Sequence, residues 1–324
     1  MGEPGKWPHV SSSFGAIDLA GFPKPPAWFY RSIWLSNIPD TDAGRPPLTG
    51  TATTIRIVEN WAQPKSAQTP SAAPKTNRTI HCYTNAPFVA LELNGKPVGA
   101  PMKGGDFGRI PTFSVKFAEG TLTAKALASD GKTVLASHSI HSWGAAAAIK
   151  LSMDVPSVAT GTGNAVYVDG ADVALLRATV VDAAGNPVFD ATHNVSFAVT
   201  KGPGFIAGVG NGDPSCQEPS HASWRSAYHG LARALVRVTV DASGTKSDRA
   251  LRASVNLEAG KSVTSRSSTI LVGTARAPTS ISVTATSPGL KAASFTIPLS
   301  VDPKDSVLAV AAASVGTADT GNTD

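Results

Sequence analysis

From Thr51 onward the chain is written in short alternating stretches of apolar and polar residues. In FVALELNGKPVG, Val89, Leu91 and Leu93 alternate with Ala90, Glu92 and Asn94, the period of a strand with one buried face. DVALLRATVVDAAGNPV alternates in the same way at Val173, Leu175, Arg177, Thr179 and Val181. TATTIRIVENW, RTIHCYT, FSVKF, AAIKLSMDVPS, HNVSFAVT, GLARALVRVTV, RALRASVNLEA, SSTILVG, TSISVTAT and SFTIPLSV read as further strands. Asn94-Gly95 and Asp130-Gly131 are tight-turn dipeptides, and the second splits TLTAKALASDGKTVLASHSI into two strands. Strands of five to eight residues with a turn every ten or so predict β-sandwiches.

The first fifty residues follow a different pattern. In FPKPPAWFYRSIWL, Pro25 and Pro26 suit the first turn of a helix, where a missing N–H costs nothing. Ala27 to Leu35 then predicts about three helical turns, with Pro39 as the stop. Its apolar residues run nearly all the way round, so the helix is built for burial by several neighbours. The resulting expectation is mainly β: two Ig-like β-sandwich domains, preceded by a short segment with one helix. The boundaries are 1–50 for that segment, 51–145 for the first sandwich, 146–304 for the second and 305–324 for a flexible tail.

Composition narrows the function classes. Hydrophobic residues make up 42% of the 324 and charged residues 16%, which suits folded domains rather than a disordered chain. The net charge of +5 is scattered, with no Lys/Arg run interleaved with aromatics, so no nucleic-acid partner is expected. No apolar window of ~18 residues and no signal-peptide pattern occur, so no membrane partner is expected either. Cys82 and Cys216 are far apart and read as lone thiols. His193, His221 and His229 are too loosely spaced for a metal site, and GTGNAVYVDG lacks the lysine of a phosphate loop. No metal and no cofactor are expected. The pattern Gly-x-Ser-x-Gly, which would support a Ser-His-Asp reading, is missing.

Three stretches, in order, carry a family likeness. GEPGKWPHVSSSFGAIDLAGFPKPPAWFYRSIWL resembles the segment that closes the catalytic (β/α)8 barrel of glycoside hydrolase family two, the β-galactosidase-like retaining glycosidases. RTIHCYTNAPFVALELNGKPVG is similar to the sandwich that follows that barrel, and Ala184 to Thr239, with GPG, GVGNGDP and AYHGLARA, resembles the C-terminal Ig-like domain. The resemblance implies that residues 1–50 are a remnant of the barrel, its last loop and helix, and that the helix is made to lie against neighbours found in that barrel. Without them the segment is expected to be poorly anchored, or to fold back onto the first sandwich.

The resemblance also sets the chemistry. Retaining glycosidases use two carboxyls ~5–5.5 Å apart, one as nucleophile and one as acid/base. In the family both are glutamates on barrel strands that precede the Gly-Glu-Pro. No catalytic residue is therefore assigned here, and the chain is expected to be a C-terminal fragment, a truncated product or gene model, inactive alone. Glu3, Trp7 and His9 are the candidates for sugar contact, with loop ordering as the alternative reading of the same residues. Asp18 reads as a loop brace, and VGNGDP (Val209 to Pro214) as a structural turn, with substrate contact as its alternative. The parent activity implied is hydrolysis of β-galactosides through a covalent glycosyl-enzyme. A non-catalytic carbohydrate-binding or scaffold module is the alternative. Association through the exposed aromatic helix is the expected partner interaction, beside a carbohydrate substrate bound through the barrel.

Overall fold

The computed structural model describes residues 7–9, 11–36, 53–62, 77–104, 109–154, 165–168, 170, 172–239 and 279–300. Glu3, most of the linkers, the two strand-like stretches between Arg249 and Gly273, and the expected tail 305–324 lie outside them. The chain divides into two compact units: Met1–Ala146 with Asp182–Phe189, and Ala147–Val181 with Asp190–Asp324. The fold is mainly β, with a single helix among the described residues, α1 (Pro25–Ser36).

The first unit is a sandwich of two sheets. One is three-stranded, ordered β1 (Ile55–Ile57), β2 (Asn77–Thr84), β6 (Thr112–Lys116). The other is ordered β4 (Lys96–Pro97), β3 (Phe88–Leu93), β7 (Thr121–Leu127), β8 (Val134–His141), with β5 (Met102–Lys103) also pairing β3. The alternation works as period-two patterning requires: Ile80 and Cys82 on β2, Val89 and Leu91 on β3, and Leu122 and Ala124 on β7 meet in one core around Trp61. The turn at Asn94-Gly95 has φ of 52° and 76°, the paired left-handed residues of a tight hairpin. Glu92–Lys125 (2.6 Å), Thr123–Ser139 (2.8 Å) and Thr121–His141 (2.9 Å) cross the solvent face of the second sheet.

His138 closes one edge of this sandwich. Its Nδ1 accepts the Ile57 backbone N–H at 3.2 Å, which joins β8 to β1 and fixes the neutral imidazole as the bonding form. Burial, helped by the charge of Arg56, lowers its pKa from 6.5 to about 4. In the unfolded chain it takes up a proton near 6.5, and in the folded state only near 4. Its contribution is therefore complete above pH 6.5 and is lost as the pH falls toward 4. Allowing for solvent screening of a partly exposed ring, that loss is on the order of 1–2 kcal/mol. The measurement is the protection factors of the β1 and β8 amides at pH 7.5 and 4.5: His138→Gln should show a smaller fall than the wild type. Equal falls would remove His138 as the cause.

The second unit is also two sheets. One is ordered β10 (Val166–Tyr167), β17 (Ala293–Ser300), β16 (Ser280–Thr286), β12 (Asn194–Lys201), β14 (Trp224–Ser226). The other is ordered β13 (Gly204–Gly210), β15 (Leu231–Val238), β11 (Val173–Asp182), β9 (Ala146–Met153). Val195, Phe197, Ile281, Val283 and Ile297 from the first sheet close on Leu176, Ala178, Ala234 and Val236 from the second. The glycine-rich strand β13 was not among the expected strands, because its run GFIAGVG lacks the β-branched density that marks the others. It is held by pairing to β15, with a bulge between Ile206 and Gly208.

Candidate functional site

The N-terminal segment is where the sequence places its candidates for sugar contact. Trp7 is 79% exposed and His9 is exposed, while Glu3 lies outside the described residues. The structure therefore does not gather the three into a described site. Behind them the loop is tightly braced. Asp18 Oδ1 accepts the backbone N–H groups of Ala20 (2.9 Å) and Phe22 (2.8 Å), and Asp18 N–H donates to Phe22 O at 2.9 Å. Ala20 and Phe22 are buried as a result. Asp18 is the brace its position suggests, since both donors to its Oδ1 are loop amides.

Helix α1 packs onto the first sandwich. Phe29 meets the Tyr83 ring at 5.2 Å, and the Arg56 guanidinium lies 4.5 Å from the centroid of the Trp28 ring. Burial lowers the pKa of Arg56, and burial with the nearby charge of Glu59 raises that of Tyr83. Of the two outcomes expected for this segment, the structure shows the folded-back one. The helix leaves other rings open: Tyr30 and Trp34, four residues apart, stack at 5.4 Å and 14° and remain exposed, Trp34 at 67%.

One histidine–carboxylate pair escaped the sequence reading. Glu59 Oε1 lies 2.5 Å from His81 Nδ1, and Glu59 Oε2 accepts the His81 backbone N–H at 2.8 Å. The partners are 22 residues apart, and no motif announces them. The clamp orients the imidazole as carboxylates orient catalytic or metal-binding histidines. Among the described residues, however, no group of three or more His, Cys, Asp or Glu is placed to hold a metal. Cys82, the next residue, is buried, and burial together with the charge of Glu59 pushes its thiol up to about 12, so it is inert as a nucleophile.

Four further carboxylates, Glu92, Asp130, Asp182 and Glu218, are engaged by donors of the fold. Glu92 pairs with Lys125, and Asp130 accepts from the amides of Lys132 and Thr133 and from the Thr133 hydroxyl. Asp182 is buried, which pushes its carboxyl up. Hydrogen bonds from the amides of Gly144, Asn186 and Ala184 and from the Asn186 side chain outweigh that and hold it below the usual range. Glu218 accepts from the Ser226 amide (2.9 Å) and hydroxyl (2.5 Å).

The VGNGDP turn opens the connection from β13 to β14, and buried Arg225 holds that connection. Its guanidinium donates to Val209 O and Glu218 O, both at 3.1 Å, and to Cys216 Sγ at 2.8 Å. Asn211, also buried, donates to Ser226 O at 2.7 Å. These bonds account for the turn as structure. His229, in AYHGLARA, sits at a hairpin turn with φ 51° followed by Gly230 at 73°, its ring against Tyr228 at 4.1 Å. His193 and His221 lie elsewhere in the sequence of the unit, and neither joins it in a metal-binding group.

Residues 158–262 match the family "Glycoside hydrolase family 2 C-terminal domain 5", and residues 75–135 match a "Domain of unknown function (DUF4982)". Beta-galactosidase BoGH2A of Bacteroides ovatus is 32% identical over 240 residues, which cover 73% of this chain and 24% of that protein. Among solved structures, a β-glycosidase from Bacteroides vulgatus superposes with a TM-score of 0.62 at 20% identity, over 90% of this chain and 29% of its own. A glycosyl hydrolase family 2 member from Bacteroides cellulosilyticus gives a TM-score of 0.57 at 21% identity, over 88% of this chain and 32% of its own. At such identities the structures establish the shared fold. The chain spans about a quarter of the length of the curated relative. It belongs to glycoside hydrolase family 2, and the part of the family's polypeptide to which it corresponds is the C-terminal part.

Proposed function

We propose that this chain supplies the accessory C-terminal sandwiches of a retaining β-glycosidase that hydrolyses terminal β-galactosides through a covalent glycosyl-enzyme. The observation that carries this reading is the 32% identity over 240 residues to a β-galactosidase. The two catalytic carboxyls, ~5–5.5 Å apart in such enzymes, belong in this reading to barrel strands outside these 324 residues. Its support from the structure is that Asp18, Glu59, Glu92, Asp130, Asp182 and Glu218 are each engaged by donors of the fold itself. The barrel-closing segment, with its open rings at Trp7, Phe14, Tyr30 and Trp34, is the surface proposed to associate with the barrel. Within the assembled enzyme, Glu3, Trp7 and His9 would then face the sugar.

The expected result for the purified 324-residue chain is no release of nitrophenol from p-nitrophenyl β-D-galactopyranoside above the buffer rate. The same preparation should sediment faster as its concentration rises, and Trp34→Ser should reduce that dependence. Turnover that follows the chain through a second chromatographic step, and scales with its amount, would refute the assignment of catalysis to other residues. A sedimentation coefficient independent of concentration and of Trp34 would refute the association surface.

A further inference from the structure

The outer face of the sheet β13-β15-β11-β9 carries a guanidinium, that of Arg237, which no acid among the described residues pairs. Strand register sets its neighbours. Phe205, Arg237 and Val173 form one row across β13, β15 and β11, Gly208, Leu235 and Leu175 the next, and Gly210, Arg233 and Arg177 the third. Arg233 and Arg177 are directly opposed like charges, an arrangement that destabilises a sheet unless it is answered. Asp154 answers both: Oδ1 is 2.9 Å from Arg177 Nη2, and Oδ2 is 2.5 Å from Arg233 Nη2. That carboxylate is fully committed. Arg237 makes one long hydrogen bond, from Nη2 to Gly170 O at 3.4 Å, and its Nε is buried without an acceptor. Among the described residues no carboxylate pairs with Arg237. Around it, Val173 and Leu175 remain 36% and 40% exposed.

We propose that this face is a docking surface for another polypeptide, one that presents a carboxylate flanked by aliphatic side chains. A guanidinium partly stripped of water and left without an anion is unfavourable, and an incoming carboxylate relieves it with charge-assisted hydrogen bonds. The aliphatic rows beside Arg237 are the second half of the match: covering Val173 and Leu175 removes apolar surface from water and strengthens the ion pair they enclose. An anionic glycan would meet the charge but leave those rows wet, which is why a polypeptide fits better. The proposal rests on the second unit alone and goes beyond the glycosidase reading, so either can fail without the other.

The test titrates the full 324-residue chain with the acetylated, amidated peptide Leu-Val-Glu-Val-Leu, with its Gln analogue and with a heparin hexasaccharide. The Glu peptide is expected to bind at least tenfold more tightly than the Gln peptide. Arg237→Gln should abolish that difference, and Leu175→Gln, at an exposed position that puts folding at little risk, should weaken the Glu peptide severalfold. Thermal unfolding of both variants checks that they are folded. Equal binding of the two peptides by the wild type, or unchanged binding by a folded Leu175→Gln, overturns the proposal. So does tighter binding of the heparin hexasaccharide than of the Glu peptide.

Discussion

Trp61→Ala is expected to cost the first unit about 3–5 kcal/mol. The indole is fully buried, its Nε1 donates to Ala118 O at 3.0 Å, and its ring meets Phe117 at 4.9 Å. Truncation removes the largest of the fully buried side chains and opens a cavity among Ile57, Ile80, Val115 and Leu122, which come from both sheets and are fixed by their ladders. It also leaves the Ala118 carbonyl without that donor. Trp61→Phe separates the two effects: it keeps most of the apolar volume and loses the hydrogen bond, so it should cost about 1–2 kcal/mol beyond the size change. Amide hydrogen exchange at β2, β6 and β7 is the readout, because the chain has two units and one global midpoint would mix them. Protection factors in those strands unchanged by Trp61→Ala would remove the ring from the core's support.

Gly202→Ala is the second large effect, and it acts in the other unit. Gly202 has φ +88°, and a Cβ built there would lie 2.2 Å from the Ser280 carbonyl oxygen and 2.9 Å from Ile281 Cα. Both are backbone atoms of the neighbouring region of β16, so no side chain can swing aside. Left-handed strain and forced displacement of a strand each cost about 1–3 kcal/mol, so the sum is about 2–6 kcal/mol. Gly185 supplies the control. Its φ is +87°, but nothing lies within 4 Å of the position its Cβ would take. Gly185→Ala should therefore cost only the conformational part, about 1 kcal/mol. Exchange rates at β12 and β16 read the cost of Gly202→Ala, those at β7 and β8 of the first unit, to which Gly185 belongs, read that of Gly185→Ala, and equal costs would refute the close approach at Gly202.

Much of the fold was legible from local signals. Helix α1 begins at Pro25 because two prolines suit a first turn, and the hairpins at Asn94-Gly95 and Asp130-Gly131 form where the dipeptides favour them. Strand β13 was not legible, since its glycines give no propensity and only the partner β15 holds it extended. The Glu59–His81 clamp, the Asp154 bridge between two arginines and the seat of Arg225 were also beyond reach. Each joins residues well apart in sequence, and none has a spacing that a motif encodes. The candidates for sugar contact were legible only through family likeness. In the described structure Trp7 and His9 are exposed loop residues, with no gathered acidic groups to mark a site.

By itself the sequence determined many of the period-two strands, the turns, helix α1 and the family, because these depend on neighbours in the chain or on ordered motifs. The alternation marked the buried face of β3 correctly, but which face of β11 goes inside was settled only in three dimensions. In β11, of the alternating set, Val173, Leu175, Arg177 and Thr179 face outward and Val181 is buried, while Ala174, Leu176, Ala178 and Val180 are buried. The period is the same for both faces. The choice belongs to the packing of two sheets, where a face lined by alanines and a few larger aliphatics closes against Phe197 and Ile281 at close quarters, and the bulkier, charged face has no such fit.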